Sequence, residues 1–510
     1  MILSKGKALF CALLALLCAS TAYAHVGNKD VYQTIDVGPY KLFITIRTPL
    51  VIPGVATVEV RSSGAAIHSL SITPLPLTGE ASKHPPTSDA MKVSSSDPAF
   101  FTGSLWIMAS GSWQVRFTID GVAGAATASV PVPAVATGVL RMQRPMGLLL
   151  ALLGCILVLG VVGIVMAATR EARLVPGALP AANRRRRAII AGAAAFALCV
   201  IAVYFGGKWW NVEAADYKAE MHRNSELRPS LAGNHLALLI GDPDPAAAGG
   251  WKMVENADLL TDHGHLMHLY AIRWPEMDAV FHLHPVPNGK SGFNETLPAM
   301  PAGTYRLFAD VVFRNGFPET ETATLTIPAG MTGSPLGSED ASATPSPLSG
   351  GELGPSYKLP DGYTMMWDKP ESIIANTPDN FVFHLVDPLG KPAADMQPYL
   401  GMAGHAAFVK TDGTAFAHTH PDGSAAMPAL MLANKSSGSS MSDMSMNEMS
   451  MSGMANTSAM DMSATHTSTE PISSTVAFPY GFPSAGSYRV FIQMKHGSTV
   501  ETGVFDAAVL

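Results

Sequence analysis

Gly111-Ser112-Trp113-Gln114-Val115, Gly303-Thr304-Tyr305-Arg306-Leu307 and Gly486-Ser487-Tyr488-Arg489-Val490 are three copies of one phrase in a chain of 510 residues. Each follows a small turn segment: Ala109-Ser110, Pro301-Ala302 and Ser484-Ala485. The phrase reads as a turn entering a late strand, whose aromatic residue packs across a sandwich. Around the first copy, Trp113, Val115, Phe117 and Ile119 interleave with Gln114, Arg116 and Thr118; Leu42, Ile44 and Ile46 do likewise with Phe43, Thr45 and Arg47. That is the two-residue period of strands, and Gly and Pro punctuate the runs. The expected fold is mainly β: three immunoglobulin-like antiparallel β-sandwich domains near 25–140, 226–330 and 356–510, plus two transmembrane α-helices.

The helices come from composition. Charged residues are 14% and hydrophobic residues 47%, with mean hydropathy +0.20. A single soluble globule usually carries more charge. The apolar excess lies near 8–24, 146–168 and 188–206. In the first run, Lys5 and Lys7 precede an apolar stretch that ends in Ala22-Tyr23-Ala24. Residues 1–24 therefore read as a secretory signal peptide, leaving His25 as the mature terminus. The other two runs are long enough to cross a bilayer, at 146–168 and 188–207. The loop 169–187 between them holds Arg170, Arg173 and Arg184 to Arg187 against a single Glu171. That excess places the loop in the cytoplasm. Both termini and all β domains then lie in the periplasm of a bacterial inner membrane. The spans carry no Asp, Glu, His or Lys, so they read as lipid-embedded anchors and not as an ion path.

Residues 331–355, rich in Ser, Gly and Pro, read as a flexible linker, and 432–470 as a Ser/Thr/Met insert within the third domain. A net charge of −7 gives no basic footprint, so nucleic acid is not an expected partner. All four cysteines, Cys11, Cys18, Cys155 and Cys199, lie in apolar runs. Thiolate sites are thereby excluded from the β domains, and any metal there must use His, Met or carboxylate.

Such ligands recur at matched positions. The second domain has Gly264-His265-Leu266-Met267-His268, then Phe281-His282-Leu283-His284-Pro285; the third has Gly401-Met402-Ala403-Gly404-His405, then Phe416-Ala417-His418-Thr419-His420-Pro421. His268 aligns with His405, His282 with His418, His284 with His420, and His265 with Met402. Both histidines of His-x-His point to one face of a strand. A hairpin bending at Pro275-Glu276-Met277-Asp278, or at Asp412-Gly413, brings the earlier histidine beside each pair. Three imidazoles on one patch suit copper or zinc. The competing reading is structural histidines that cap backbone groups near a His-Pro turn.

The insert speaks for copper. Met441, Met444, Met446, Met449, Met451, Met454, Met460 and Met462 recur in a polar background, near His466. Thioethers are soft ligands that select Cu(I); the competing reading is a methionine-rich linker. At a mature terminus His25 could chelate one Cu(II) with its α-amino group and imidazole. His68 and His84 are weaker candidates.

The first domain, with the Trp113 strand preceded by Phe101-Thr102-Gly103-Ser104-Leu105, resembles the YtkA-like and FixH-like periplasmic domains. The resemblance implies an immunoglobulin-like sandwich associated in part with copper supply to terminal oxidases. A terminal His25 resembles the CopC-like copper carriers. The second and third domains resemble uncharacterised bacterial envelope modules with Gly-His, His-x-His-Pro and Gly-x-Tyr-Arg. The FixH-like pattern has one span and one domain, from which this chain departs.

The expected function is copper sequestration, buffering or delivery by a membrane-anchored periplasmic protein. Its partners would be copper ion, membrane lipid and a periplasmic copper donor, acceptor or oxidase-assembly protein. The alternative is an envelope scaffold or sensor that binds a partner protein. No nucleophile–base pairing, phosphate loop or His-Glu-x-x-His helix is legible, so no enzyme activity is expected.

Overall fold

The computed structural model describes residues 30–172, 174–175, 177–437 and 472–510. The expected signal peptide, His25 and the eight tract methionines lie outside the described residues. The chain is mainly β, 44% strand and 20% helix, with several antiparallel sheets and two long apolar helices. It divides into a β unit (30–49, 53–134 and 224–510) and a helical unit (50–52 and 135–223).

All three copies of the repeated phrase begin a strand of eleven residues: Gly111–Gly121, Gly303–Phe313 and Gly486–His496. The opening glycines sit at φ of 135°, 144° and 135°, a region that side chains disfavour, which is why each copy starts with Gly. The third residue of each copy then reaches back four positions. Trp113 Nε1–H donates to the Ala109 carbonyl at 2.8 Å, Tyr305 O–H to Pro301 at 2.9 Å, and Tyr488 O–H to Ser484 at 2.9 Å. The aromatic thus fastens the entering turn to its own strand.

The first module carries a sheet in which Val31–Val37, Tyr40–Arg47, Gly54–Gly64 and Phe100–Ile107 pair in that order. A second sheet pairs Ile67–Pro76, Gly111–Gly121 and Gly124–Ala134. Leu42, Ile44, Ile46, Val115, Phe117 and Ile119 are all buried, as their alternation requires.

In the second module, Gly303–Phe313 lies between Pro318–Ile327 and His268–Arg273, and the latter pairs with Val280–Leu283. In the third, Gly486–His496 lies between Thr499–Val509 and His405–Lys410, and the latter pairs with Phe416–Thr419. Each of these sheets has two apolar faces. Leu269, Ala271, Phe281, Leu307 and Ala309 face the second module's own core; Ala406, Phe408, Ala417, Val490 and Ile492 face that of the third. The opposite faces pack on each other: Tyr270, Ile272, Val280 and Phe308 join Ala407, Val409, Phe416 and Phe491 in one cluster. Arg489, fully buried, pins this interface. It pairs with Asp506 and donates from Nη1 to the carbonyls of Met277 and Ser346, at 2.9 Å each.

The segment 331–355 departs from the expected flexible linker. Its Ala341–Ala343 strand pairs with Val280–Leu283, because that short strand would otherwise leave an unpaired edge. The helices run Arg144–Glu171 and Ala182–Glu220, longer than the apolar runs. Arg184 to Arg187 continue the second helix and shorten the connection, since Arg is a good helix former.

Candidate metal centre

The register explains how the histidines meet. Tyr270 pairs with His282 in the hairpin of the second module, and Ala407 with His418 in that of the third. His268 and His405 lie two residues earlier, on the same faces as Tyr270 and Ala407. Those are the faces pressed together between the modules, so both sets of imidazoles enter one buried chamber. His268, His282, His284, His405 and His420 are each no more than 6% exposed.

Two groups bring ligand atoms within 4.8 Å of one another: His268 with His282 and His284, and His263 with His405 and His420. The first is the trio expected from sequence. The second differs, because the expected His405–His418–His420 trio is joined by His263 from the second module. His263 has a left-handed backbone, φ 49°, and its ring lies 4.8 Å from that of His420 and 5.3 Å from that of His405. His418 stays close, with its ring 5.0 Å from that of His420 and 5.4 Å from those of His405 and His268. The His265 ring lies 4.2 Å from that of His284, tilted by 32°. Met402, its aligned counterpart, lies half-buried in the turn at Tyr399, with which its backbone exchanges hydrogen bonds.

Neighbouring acceptors fix the proton on most rings. His282 Nδ1–H donates to Gln493 Oε1 at 2.8 Å, an oxygen that also accepts from the Tyr270 hydroxyl. His268 Nε2–H donates to the Asp262 carbonyl at 3.1 Å. His284 and His418 donate from Nδ1 to Asp340 at 3.0 Å and to Asp310 at 3.1 Å. His265 Nε2 meets Glu339 at 3.0 Å. His263 and His420 are hydrogen-bonded to the backbone at Leu400 and Ala425.

These partners aim bare lone pairs inward. His268 Nδ1 and His282 Nε2 face each other at 3.2 Å; with the ring protons on the far nitrogens, toward the Asp262 carbonyl and Gln493 Oε1, both would present lone pairs to each other. Nε2 of His263, His284, His418 and His420, and both nitrogens of His405, are buried without a hydrogen-bond partner. Protonation does not resolve the conflict. Burial first, then the neighbouring imidazoles, hold His268, His282 and His405 well below the usual histidine range, and burial does the same for His420. Two nitrogens on one tetrahedral ion, each bound at ~2.0–2.1 Å, stand about 3.3 Å apart. The 3.2 Å facing pair has that spacing. Imidazoles that donate their other N–H to a carboxylate or amide oxygen are oriented as metal ligands are.

Sequence reasoning missed His263 and Asp262, whose Oδ1 lies 3.5 Å from His263 Nε2, and all the oxygen partners. Asp340 and Glu339 sat in the presumed linker; Asp310 and Gln493 lie on the central strands, five residues beyond the repeated aromatics. The only cue was that Asp310 and Gln493 stand opposite His268 and His405 in the ladders. His68 and His84 are exposed on the first module and belong to neither histidine group. A separate group, Asp361, His496 and Glu501, also lay outside the sequence reading.

A model of the family described only as a domain of unknown function, DUF8832, matches residues 358–510, the third module. No curated protein matches the chain. Among solved structures, an engineered protein is 16% identical over 20% of this chain and 20% of its own, with TM-score 0.15. A tetra-tandem repeat from the extending region of a large adhesion protein is 7% identical over 93% of this chain and 82% of its own, with TM-score 0.17. A 1.5-MDa bacterial ice-binding adhesin gives 6%, 90%, 91% and 0.13 for the same four measures.

Proposed function

We propose that this chain is a membrane-anchored periplasmic protein that holds copper in the histidine chamber between its second and third immunoglobulin-like modules, for sequestration, buffering or delivery. The observation that carries the reading is the 3.2 Å approach of His268 Nδ1 and His282 Nε2, with buried ring nitrogens of His263, His284, His405, His418 and His420 around them that have no hydrogen-bond partner. A purely structural histidine would be satisfied by its neighbours, because a buried polar atom without a partner is costly. A cation supplies what these atoms lack, and neutral buried imidazoles accept a metal without first losing a proton.

Imidazole donors suit copper and zinc alike; in the usual affinity order Cu²⁺ exceeds Zn²⁺ at a given nitrogen site. The methionine tract adds a preference for Cu(I). Two helices long and apolar enough to span a bilayer supply the anchor, and the arginines between them favour a periplasmic site.

The test is competitive metal titration of the purified full-length chain in detergent, with copper and zinc against a colorimetric chelator. Copper should be retained and should displace zinc, and replacing His268, His282 and His284 by Ala should weaken retention. A chain that retains neither metal, or is indifferent to the triple substitution, overturns the reading.

A further inference from the structure

We propose that the chamber is a two-ion site, with one ion on His268, His282 and His284 and a second beside it on His263, His405 and His420. This rests on the metal reading above and deepens it. The two groups are separate by geometry: each gathers its own three ligand atoms within 4.8 Å. They also adjoin. The His268 ring lies 6.4 Å from those of both His263 and His405, and His282 lies 6.2 Å from His405.

One ion cannot satisfy both groups. A tetrahedral centre accepts four donors. An ion on the first group would leave Nε2 of His263, His420 and His418, and both nitrogens of His405, mostly bare in the interior. The second module and the third repeat the same hairpin, and each orients a histidine of the other across the interface. Gln493 of the third holds His282 of the second, and Asp310 of the second holds His418 of the third. This reciprocal arrangement gives two half-sites, each built as a ligand cluster. His418 stands between them, 5.4 Å from His268 and 5.0 Å from His420, with Nε2 free to complete either. The second half-site takes His263 from one module and His405 and His420 from the other, so its ion joins the two modules.

The experiment compares bound copper per chain in the full-length protein and three variants. These are His282→Ala/His284→Ala, His263→Ala/His420→Ala, and all four substitutions together. Differences from the parent cancel copper held elsewhere, including on the methionine tract. Each pair should remove one equivalent, and the combination two. If each pair and the combination all remove the same single equivalent, the two-ion proposal falls while the metal reading stands. If the combination removes none, the metal reading itself falls. Should a pair of Ala substitutions melt the fold, seen as lost near-ultraviolet dichroism, the same series with Gln decides between these outcomes.

Discussion

The second and third modules present the same hairpin with matching histidines, but they complete their ligand sets differently. In the second, His268, His282 and His284 come from one hairpin, and a folded strap ties His284 through Asp340. In the third, His405 and His420 are completed by His263, borrowed from the second module. The orienting partners differ too: a neutral amide, Gln493, on His282 and a carboxylate, Asp310, on His418. A carboxylate partner raises the basicity of an imidazole ligand more than an amide does. One group thus takes all three candidate ligands from one module, while the other takes them from two. Equal sequence motifs do not make equal sites when the third ligand comes from elsewhere.

The largest effect that would sharpen this contrast is on the borrowed ligand. His263→Ala should weaken copper at the second half-site at least about 100-fold, beyond the usual 10–100-fold cost of losing a supporting partner. The first half-site should keep its ion, and chelator competition would resolve the two. Equal weakening of both would erase the distinction between local and borrowed sites.

Next come the orienting groups. Gln493→Leu should cost about 10–100-fold in copper affinity at the His282 half-site, and Asp310→Asn a similar factor at the half-site that His418 completes. Paired titrations of the two variants would show which half-site His418 completes; a Gln493→Leu variant that leaves the His282 half-site unweakened would break the assignment.

How far the sequence went is visible in these residues. The His-x-His pairs, their alignment between modules and the strands that carry them were legible, because a two-residue period fixes which side chains share a face. It could not tell which face. In a sandwich the outer face normally meets water, and here it meets another module, through contacts such as Tyr270 to Gln493 that span 223 positions. The linker misled for a related reason. Its Ser, Gly and Pro content describes how residues behave alone, whereas Ala341–Ala343 is ordered by the strand edge it pairs with. His263 carried no signal, since it lies off the repeated spacing.

Acid gives a smaller, graded effect. Burial lowers the folded-state values of His268, His282, His405 and His420, so the metal-free fold holds them neutral while the unfolded chain takes up protons below pH ~6.5. Stability of the metal-free protein should therefore fall as pH drops from 7.5 to 5.5, and bound copper should blunt the fall. Melting curves across that range, with and without copper, check this. A metal-free melting temperature that is flat with pH would contradict the buried neutral chamber.

The smallest effect lies away from the histidines, where the modules differ again. Glu321 of the second module occupies the place of Gly503 in the third. It is fully buried, and burial, followed by Glu319, pushes its carboxyl up to about 11. Its folded-state value exceeds the unfolded one, so its contribution favours folding most below pH ~4.5 and is lost as pH rises towards that higher value. Glu321→Gln should raise the melting temperature at pH 7.5 by a few degrees and flatten its decline towards pH 9. A lower melting temperature at pH 7.5 would mean the acid is paired in a way Gln cannot reproduce.

The central claim is that buried imidazoles of both modules bind the metal. Copper-edge X-ray absorption of the full-length, copper-loaded chain tests it most directly, with the His268→Ala/His405→Ala variant alongside. The expected spectrum has nitrogen scatterers at ~2.0 Å with the outer-shell pattern of imidazole rings, lost in the variant. A spectrum with sulfur scatterers alone, unchanged in the variant, would place the copper on the methionines and contradict the claim.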